Sequence, residues 1–391
     1  MTTMYDLAAK EYRPPKDLPE LKTYLQAAVE IEHLTIPVYM SGLYSVVPGT
    51  NAYACEVIRS VLLEEMLHMT LAGNLLNAVG GTPDMGKLTP GYPARLPFGD
   101  ASLPPIALQH FSPDALETFL LIERPHSFVP SNPDETGWTS IGQFYEAIRR
   151  GIVALEEAAR GTGQTIFTGD PAEQVGPEDF YNSGGETFRI TDLKSALLAI
   201  EVISEQGEGA QDSIWDSDDK IFGEQRQVAH YFRFNEIVTG RSYGPHDLPR
   251  TQPSGPLIDV TWQDAYPIDP GAKSAHFAPY PEIHRAVEDF NDTYARLLVL
   301  FERVFDGKPR EMEKAVPLML ELRDLAQRIY RNPHPDTADK PGLHASPTFE
   351  LDDSRLRRAR EHITELLAAP PEIPAQTATG PAGAQKEEQH S

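Results

Sequence analysis

Apolar residues recur every three to four positions along two long segments near the N-terminus, which is the spacing of helices with one buried face. The first segment runs from about Pro19 to Val46 and the second includes Val61–Val79. A short Pro-Gly turn joins them, so we predict two antiparallel helices packed side by side. Pro37 lies inside the first segment and removes a backbone hydrogen bond there. Because the apolar period continues through Leu43, a kinked helix is favoured over one that ends before the proline.

Similar patterns predict helices along most of the chain, and the fold is expected to be all-α. Ser112 followed by a proline is typical of a helix start. Further helices are predicted at Ile141–Ala159, 192–209 with Thr191 as its cap, Glu224–Thr239, Ile283–Phe305, Arg310–Tyr330 and Ser354–Ala368, with a short strand at Thr165–Thr168.

These elements predict one main helical domain with additions. The predicted segments are an N-terminal extension (1–17), a four-helix bundle (18–240) with an insertion between its second and third helices (82–190), a proline-rich connection and C-terminal helices packed on the bundle (241–350), and a charged short helix with a disordered tail (351–391). The chain has 391 residues, which exceeds the roughly 250–300 residues at which single hydrophobic cores stop growing. One main domain with added segments is therefore the expected organisation.

Two glutamates fall inside the apolar stripes of the first two helices. Glu65 lies in the middle of the apolar face of the second helix, where an ionised carboxylate needs a partner. His68 lies one turn on and could bind the same cation. Glu32 lies within the apolar face of the first helix. Because the two helices are expected to be antiparallel, Glu32 and Glu65 can face each other.

The Glu-x-x-His pattern carries little weight alone, because it occurs four times in the chain and only Glu65/His68 lies on a long apolar face. The other copies are Glu30/His33, expected at the surface or behind a site, Glu123/His126, interrupted by Pro125, and Glu387/His390, in the polar tail.

An acidic stripe on the helix 192–209 suggests a cation. Glu201, Glu205 and Glu208 follow the spacing i, i+4, i+7 and would repel each other unless positive charge lies among them. The alternative is a stripe that faces water. The next helix presents His230, with Gln227 at i−3, and this histidine is either a ligand or an ordinary core group.

Several other polar groups are interpreted as solvated. These are Tyr145-Glu146, the pair Glu156-Glu157, and the acids that follow Trp215, which are expected to form a connector.

The candidate metal ligands are Glu32, Glu65, His68, Glu205, Glu208 and His230. Carboxylates and imidazoles from facing helices are the ligand set of a carboxylate-bridged dinuclear site. Without a thiolate, such a set suits iron or manganese and makes a poor zinc site. We therefore predict iron (Fe2+/Fe3+), one or two ions, with manganese as the alternative, and dioxygen or peroxide as co-substrate.

The charge of the chain narrows its other partners. With 34 basic and 58 acidic residues, a formal charge of −24, neither nucleic acid nor an anionic membrane is an expected partner. A small molecule fits better, and a homo-oligomer is compatible with the sequence. The single cysteine, Cys55, excludes an internal disulfide framework, and no signal peptide or membrane span is visible. We expect a cytoplasmic protein.

Five blocks of sequence resemble a known family. They are Leu25–Tyr39, Glu64–Pro83, Glu205–Gly209, His230–Ile237 and Ser346–Glu350, and they are similar to the ferritin-like domain of the iminophenyl-pyruvate dimer synthase type, the relatives from the violacein pathway. The resemblance covers about residues 18–350. It implies a ferritin-like four-helix core and a role in specialised metabolism, such as the oxidative coupling of imines made from aromatic amino acids.

The chain also resembles diiron proteins of the rubrerythrin kind. These carry Glu with Tyr at i+7 on the first helix, matching Glu32 and Tyr39, and acids at i and i+3 on the third, matching Glu205 and Glu208. The resemblance makes Tyr39 a candidate for redox or hydrogen-bond support, with an ordinary core tyrosine as the alternative. Gln227 stands where that family has a fourth-helix glutamate, which predicts a weaker second metal position.

Three functions follow from these features. The first is a non-haem metal-dependent oxidase or oxygenase acting on an aromatic or amine/imine natural-product intermediate. The second is an iron-handling protein, either a ferroxidase or a peroxide scavenger, and the third is a metal-free binding module. The long insertion and the C-terminal helices favour the first, because they would obstruct packing into a closed shell and could wall a substrate pocket.

Overall fold

The computed structural model describes residues 13–88, 91–95, 104–128, 138–181, 185–210 and 212–368, and within these ranges it has helices and no strand. The α-helices are α1 (Leu18–Tyr44), α2 (Ala52–Ala78), α3 (Pro113–Ile122), α4 (Ile141–Arg160), α5 (Leu193–Glu208), α6 (Asp218–Ile221), α7 (His230–Thr239), α8 (Pro281–Phe305), α9 (Ala315–Tyr330) and α10 (Asp353–Ala368). The all-α class is confirmed. The tail predicted to be disordered lies outside the described residues.

Helix α1 continues through its internal proline. It begins after Asp17, whose carboxylate accepts a hydrogen bond from the backbone N–H of Glu20 at 2.9 Å, and it runs to Tyr44. Ser41 Oγ donates to the Pro37 carbonyl oxygen at 2.8 Å. The apolar period therefore predicted this helix correctly. Residues before and after Pro37 belong to one continuous helix.

Four helices close a bundle around the main core. α1 and α2 pack along each other, α4 packs against α1, α5 packs against α2, and α4 contacts α5. Helix α4 belongs to the segment 82–190, so part of that insertion forms a wall of the bundle. α3 and α7 pack together, with α3 also contacting α1 and α7 also contacting α2 and α5. None of the described helices is both long enough and apolar enough to cross a membrane.

The three C-terminal helices cover the α1–α2 pair. α8 contacts α2, α9 contacts α1, and α10 packs on α8. Gly73 of α2 packs against Phe305 of α8, and a Cβ added at Gly73 would lie 2.6 Å from the Phe305 ring. One turn on, Asn77 Nδ2 donates to the Phe305 carbonyl oxygen at 2.9 Å. The bundle and the C-terminal helices are therefore closely packed at this point.

We expect Gly73→Ala to lower the free energy of unfolding by about 1–3 kcal/mol, because the new methyl group overlaps a buried aromatic ring. Denaturant titration measures the loss. Adding Phe305→Leu, which removes the ring, should make the alanine less harmful than it is in the parent protein. If Gly73→Ala alone leaves the unfolding midpoint unchanged, the close packing of α2 on α8 is contradicted.

Three local elements differ from the prediction: the cap of α5, the start of α7 and the segment 165–168. Helix α5 is capped by Asp192, which accepts the Ser195 N–H at 2.8 Å, and Thr191 lies outside it. Helix α7 begins only at His230. The residues before it are held as an extended segment, since the Asp216 N–H donates to the Gln227 carbonyl at 3.0 Å. Residues 165–168 form no strand.

Candidate metal centre

A buried cluster of carboxylates and imidazoles is formed by residues of α1, α2, α7 and the end of α3. Glu65, His68 and His230 each offer a ligand atom, and these atoms all lie within 4.8 Å of one another. His230 Nδ1 is 3.1 Å from Glu65 Oε1, and His68 Nδ1 is 3.6 Å from the same oxygen. Glu65 therefore stands between the two histidines, whose rings are 5.4 Å apart.

Two further glutamates flank this group. Glu32 Oε2 lies 3.7 Å from His68 Nδ1, and Glu123 Oε2 lies 3.4 Å from His230 Nδ1. Each histidine thus has the shared Glu65 on one side and a glutamate of its own on the other. Helix α1 supplies the first of these glutamates, and the second is the residue that caps the C-terminus of α3.

Hydrogen bonds hold the three carboxylates in place from outside the cluster. Tyr145 on α4 donates its hydroxyl to Glu32 Oε1, and Tyr39 on α1 donates to Glu123 Oε1. Thr35 Oγ1 donates to Glu65 Oε2 at 2.7 Å. In each case one oxygen is held by a hydroxyl group and the other faces the histidines.

The tautomer of His68 is set by a chain of polar groups. Gln206 Nε2 donates to both oxygens of the Asp218 carboxylate, at 3.0 and 3.2 Å, so its Oε1 faces the histidine. That oxygen lies 2.8 Å from His68 Nε2 and can only accept. The proton of the neutral imidazole therefore lies on Nε2, and the lone pair on Nδ1 faces Glu65 and Glu32.

A hydrogen-bond acceptor beside Nε2 also orients the ring of His230. Its Nε2 lies 2.7 Å from Glu64 Oε2, and Glu64 is also held by the guanidinium group of Arg233. Burial would raise the pKa of Glu64, but Arg233 and His230 lower it to about 2, so this carboxylate accepts the Nε2 proton. Both imidazoles thus present Nδ1 to the same space, and acceptors on Nε2 are the usual support for a metal-binding histidine.

The charges of the cluster call for a cation. Burial and repulsion by Glu65 raise the pKa of Glu32 well above its ordinary value. Burial opposes a charge on His230, yet Glu123, Glu64 and Glu65 together raise its pKa. Glu32 and His230 therefore hold protons more strongly than they would in water, and these protons offset the negative charge of the cluster. A metal ion would offset the same charge and release those protons.

The spacing of the donor atoms fits such an ion. Two ligand atoms bound at about 2.1 Å to one ion, about 90–120° apart, are separated by about 3.0–3.6 Å. The nitrogen–oxygen distances of 3.1, 3.4, 3.6 and 3.7 Å are close to this range. Within the part of the chain that the structure describes, His230 Nδ1 is buried and has no aligned hydrogen-bond partner, as expected of a ligand atom. With oxygen and nitrogen donors only, this set suits iron or manganese.

A small cavity leads to the cluster. Its volume is about 20 Å³, and its walls come from α1, α2, α4, α5 and the end of α3. Gly142 at the start of α4 lies against Glu208, and a Cβ there would lie 1.6 Å from Glu208 Oε1. The cavity can hold a water-sized molecule, and an aromatic substrate would need its wall to open.

The candidate residues from the sequence are only partly brought together. Glu32, Glu65, His68 and His230 meet in the cluster. Glu208 lines the cavity, where its Oε2 accepts the His126 N–H at 2.6 Å and its Oε1 lies against the backbone of Gly142.

Other predicted residues lie elsewhere. Glu205 is not among the residues lining the cavity, and its carboxylate interacts with Ser217. Glu201 is exposed, so the acidic stripe of α5 faces water at that end. Gln227 is exposed on the extended segment before α7 and takes no part in the cluster, because the helix that would have turned it inward begins only at His230.

Sequence patterns point away from two residues of the site. Pro125 argues against a helical Glu-x-x-His at Glu123, yet Glu123 lies at the C-terminal cap of α3 and does not need that helix to continue. Tyr145 was interpreted as solvated, although it is fully buried and lies in the cavity wall. The burial of Tyr145 follows from a partner on another helix, Glu32, which no local pattern reveals.

Three other interpretations of polar groups also change. Glu156 is buried and accepts the Ile166 N–H at 2.9 Å. Asp216 and Asp218 are buried in the segment expected to be a solvated connector. Glu30 and His33 are buried as well, on the side of α1 where His33 Nε2 lies 2.6 Å from the Tyr294 hydroxyl.

A helical bundle with glutamates and histidines in its core defines a class of protein, and comparison with known sequences places the chain in it. A model of the Ferritin-like family matches residues 25–239, more than half of the chain. The protein belongs to the ferritin-like family. A ferritin-like protein from Caulobacter vibrioides has a similar fold, with a TM-score of 0.57 at 22% identity over 86% of this chain and all of the other.

Two curated relatives are larger proteins. The chain is 26% identical over 327 residues to dichlorochromopyrrolate synthase of Lentzea aerocolonigenes, covering 75% of this chain and 29% of the relative. It is 33% identical over 163 residues to 2-imino-3-(indol-3-yl)propanoate dimerase of Chromobacterium violaceum, covering 39% of this chain and 15% of the relative. The chain thus spans less than a third of the length of either relative.

Proposed function

We propose that the protein is a non-haem metal-dependent oxidoreductase, with iron as its metal, that oxidises a small aromatic amine or imine in specialised metabolism. The observation that carries this proposal is the buried pair of imidazoles that present Nδ1 atoms to one shared carboxylate, Glu65. The names of the two relatives, a synthase and an indolyl-imine dimerase, support this substrate class.

In this proposal Glu65, His68 and His230 hold the metal, with Glu32 and Glu123 as further ligands. One ion or two would supply a site that accepts electrons from the substrate. The protein itself keeps bulk water out, since the cluster is buried, and it holds protons nearby on Tyr39 and Tyr145.

Oxidative coupling is the reaction that best fits these features. Two imine molecules join through one new bond and each loses a hydrogen, so two electrons and two protons leave the substrates. Dioxygen can take them up as hydrogen peroxide, or hydrogen peroxide can take them up as two waters. Glu208 lies in the cavity wall, and burial raises the pKa of its carboxyl group to about 7, so it can accept a substrate proton near neutral pH.

The proposal is tested with protein purified from cells supplied with iron and manganese. The imine is made in solution from tryptophan by an L-amino-acid oxidase, with and without catalase to remove peroxide. Mass spectrometry should detect a dimer formed with loss of two hydrogens. Protein reloaded with zinc, which is redox-inert, is the matched control and should form none. Equal product from the zinc form contradicts the proposal, and iron oxidation without any organic product would favour an iron-handling role.

We expect Tyr145→Phe to weaken metal binding roughly 10- to 100-fold, the usual cost of losing a residue that positions a ligand. The change removes the hydrogen bond to Glu32 and leaves the ring in place. Tyr181→Phe is the matched control, because the buried Tyr181 hydroxyl has no hydrogen-bond partner among the described residues. Competition with a metal-binding dye measures both affinities. Equal affinities for the two variants would contradict the role given to Tyr145.

A further inference from the structure

A second cavity lies among the three C-terminal helices. Helices α8, α9 and α10 supply its described walls, and its volume is about 380 Å³. Small-molecule sites usually measure about 300–1,000 Å³. None of the described residues that line this cavity belongs to the metal cluster or to the smaller cavity beside it. The C-terminal helices therefore enclose a space that can hold an organic molecule and that the proposed function does not use.

The wall formed by α10 is basic. Arg355, Arg358 and His362 follow the spacing i, i+3, i+7 of one helix face, and all three line the cavity. Arg355 is buried and binds Glu288 and Asp292, so it joins α10 to α8. Its Nε is also buried and has no hydrogen-bond partner among the described residues. This wall therefore holds a buried donor that the protein itself does not satisfy.

The other two basic groups of this wall are poorly paired with acids. Arg358 Nη2 lies 3.5 Å from Asp292 Oδ1, an oxygen that Arg355 already binds. In the described part of the chain no carboxylate lies within 4.0 Å of the His362 ring, and its Nε2 lies 3.5 Å from Nη1 of Arg296, another basic group. Basic groups in contact favour an anion beside them. Because Arg358 and His362 are one turn apart, a single carboxylate can reach both.

The rest of the lining adds acids to the cavity. Glu321 of α9 is bound by Arg296 of α8 at 2.9 Å, and Asp292 is bound by Arg355. Asp289 of α8 also lines the cavity and has no ion pair within 4.0 Å among the described residues. An anion would be repelled by these acids, and a cation would be repelled by the basic face of α10. A ligand with one charge of each sign complements both.

We propose that this cavity binds a free α-amino acid, with its carboxylate on Arg358 and His362 and its ammonium group on Asp289. The spacing favours charges attached to one carbon, since Arg358 contacts Asp292, and residues one turn apart such as Asp289 and Asp292 have Cβ atoms about 5–6 Å apart. The apolar part of the lining, Leu325 with Ala359, suits an apolar side chain. The bound molecule would contact both α8 and α10 and hold them together.

Calorimetry on the full chain tests the inference with L-leucine, leucinamide and N-acetyl-L-leucine. The amide lacks the negative charge, and the acetylated compound lacks the positive charge. We expect the wild type to bind L-leucine roughly 10- to 100-fold more tightly than either derivative, as hydrogen bonds to charged groups imply. L-Valine and L-methionine are titrated as well, so that the result does not depend on one side chain.

Two variants separate the two charged contacts. Arg358→Gln should lose most of the preference for leucine over its amide and keep the preference over N-acetyl-leucine, and Asp289→Asn should do the reverse. A merely structural disturbance would weaken all three ligands together. Both side chains are exposed, so neither change should unfold the protein.

Arg357→Gln is the matched control. Arg357 is exposed on the same helix and does not line the cavity, so this variant should bind L-leucine as the wild type does. The inference is overturned if none of the three amino acids binds at millimolar concentration, or if the wild type binds leucine no better than its two derivatives. It is also overturned if Arg358→Gln and Asp289→Asn keep both preferences, or if Arg357→Gln loses as much affinity as Arg358→Gln. Because the cavity shares no residue with the metal cluster, a failed oxidase assay leaves this result intact.

Discussion

Glu65→Gln is expected to abolish stoichiometric metal binding, with affinity at least roughly a hundredfold lower than in the wild type. The expectation follows because Glu65 Oε1 is the atom that both histidines face, at 3.1 and 3.6 Å. Loss of a supporting residue costs about 10- to 100-fold, and loss of the shared ligand should cost more. Elemental analysis of the purified protein measures the change.

The matched control for this variant is Glu201→Gln, which removes the same charge from an exposed position of α5. It should carry as much metal as the wild type. Thermal unfolding gives a second readout, because a bound ion stabilises the folded state in proportion to the logarithm of its free concentration. Added metal should raise the melting temperature of wild type and Glu201→Gln but not of Glu65→Gln. Full metal content in Glu65→Gln would refute the assigned ligand.

Arg233→Met is expected to lower the free energy of unfolding by about 3–5 kcal/mol, because it leaves the buried Glu64 carboxylate without its cation. The long apolar side chain keeps most of the volume, so the loss reports charge rather than packing. Denaturant titration of the metal-free protein isolates the effect from that of a bound ion.

Two further variants sharpen this prediction. Arg323→Met, at an exposed position paired with Asp324, should cost less than about 1 kcal/mol. The double variant Glu64→Gln/Arg233→Met should be more stable than Arg233→Met alone, because the unpaired charge is gone. If Arg233→Met costs no more than Arg323→Met, Glu64 is not a buried carboxylate that supports His230.

Much of the helical framework could be predicted because burial repeats with the helix period. Glu32 and Glu65 follow from this period, since each interrupts an otherwise apolar face, and His68 follows because it lies one turn from Glu65. The continuation of α1 past Pro37 was also predicted, because the period continued on both sides of the proline.

The remainder of the site depends on contacts between distant segments. Glu123 lies at the end of α3, where helix periodicity no longer defines a face. Gln227 looked like a ligand position only while it was assumed to be helical, and backbone pairing with residue 216 holds it extended. Glu123 lies beside His230, so a carboxylate reaches that histidine from a different helix than expected.

The most direct test of a metal held between the two histidines is anomalous scattering from crystals of the protein, recorded on both sides of the iron and manganese absorption edges. We predict a peak between His68 Nδ1 and His230 Nδ1, adjacent to Glu65 Oε1, that appears above the iron edge and is absent below it. A peak that persists down to the manganese edge would change the metal but keep the site. Fully replete crystals with no peak at this position, or with histidine rings turned to offer Nε2, would contradict the account.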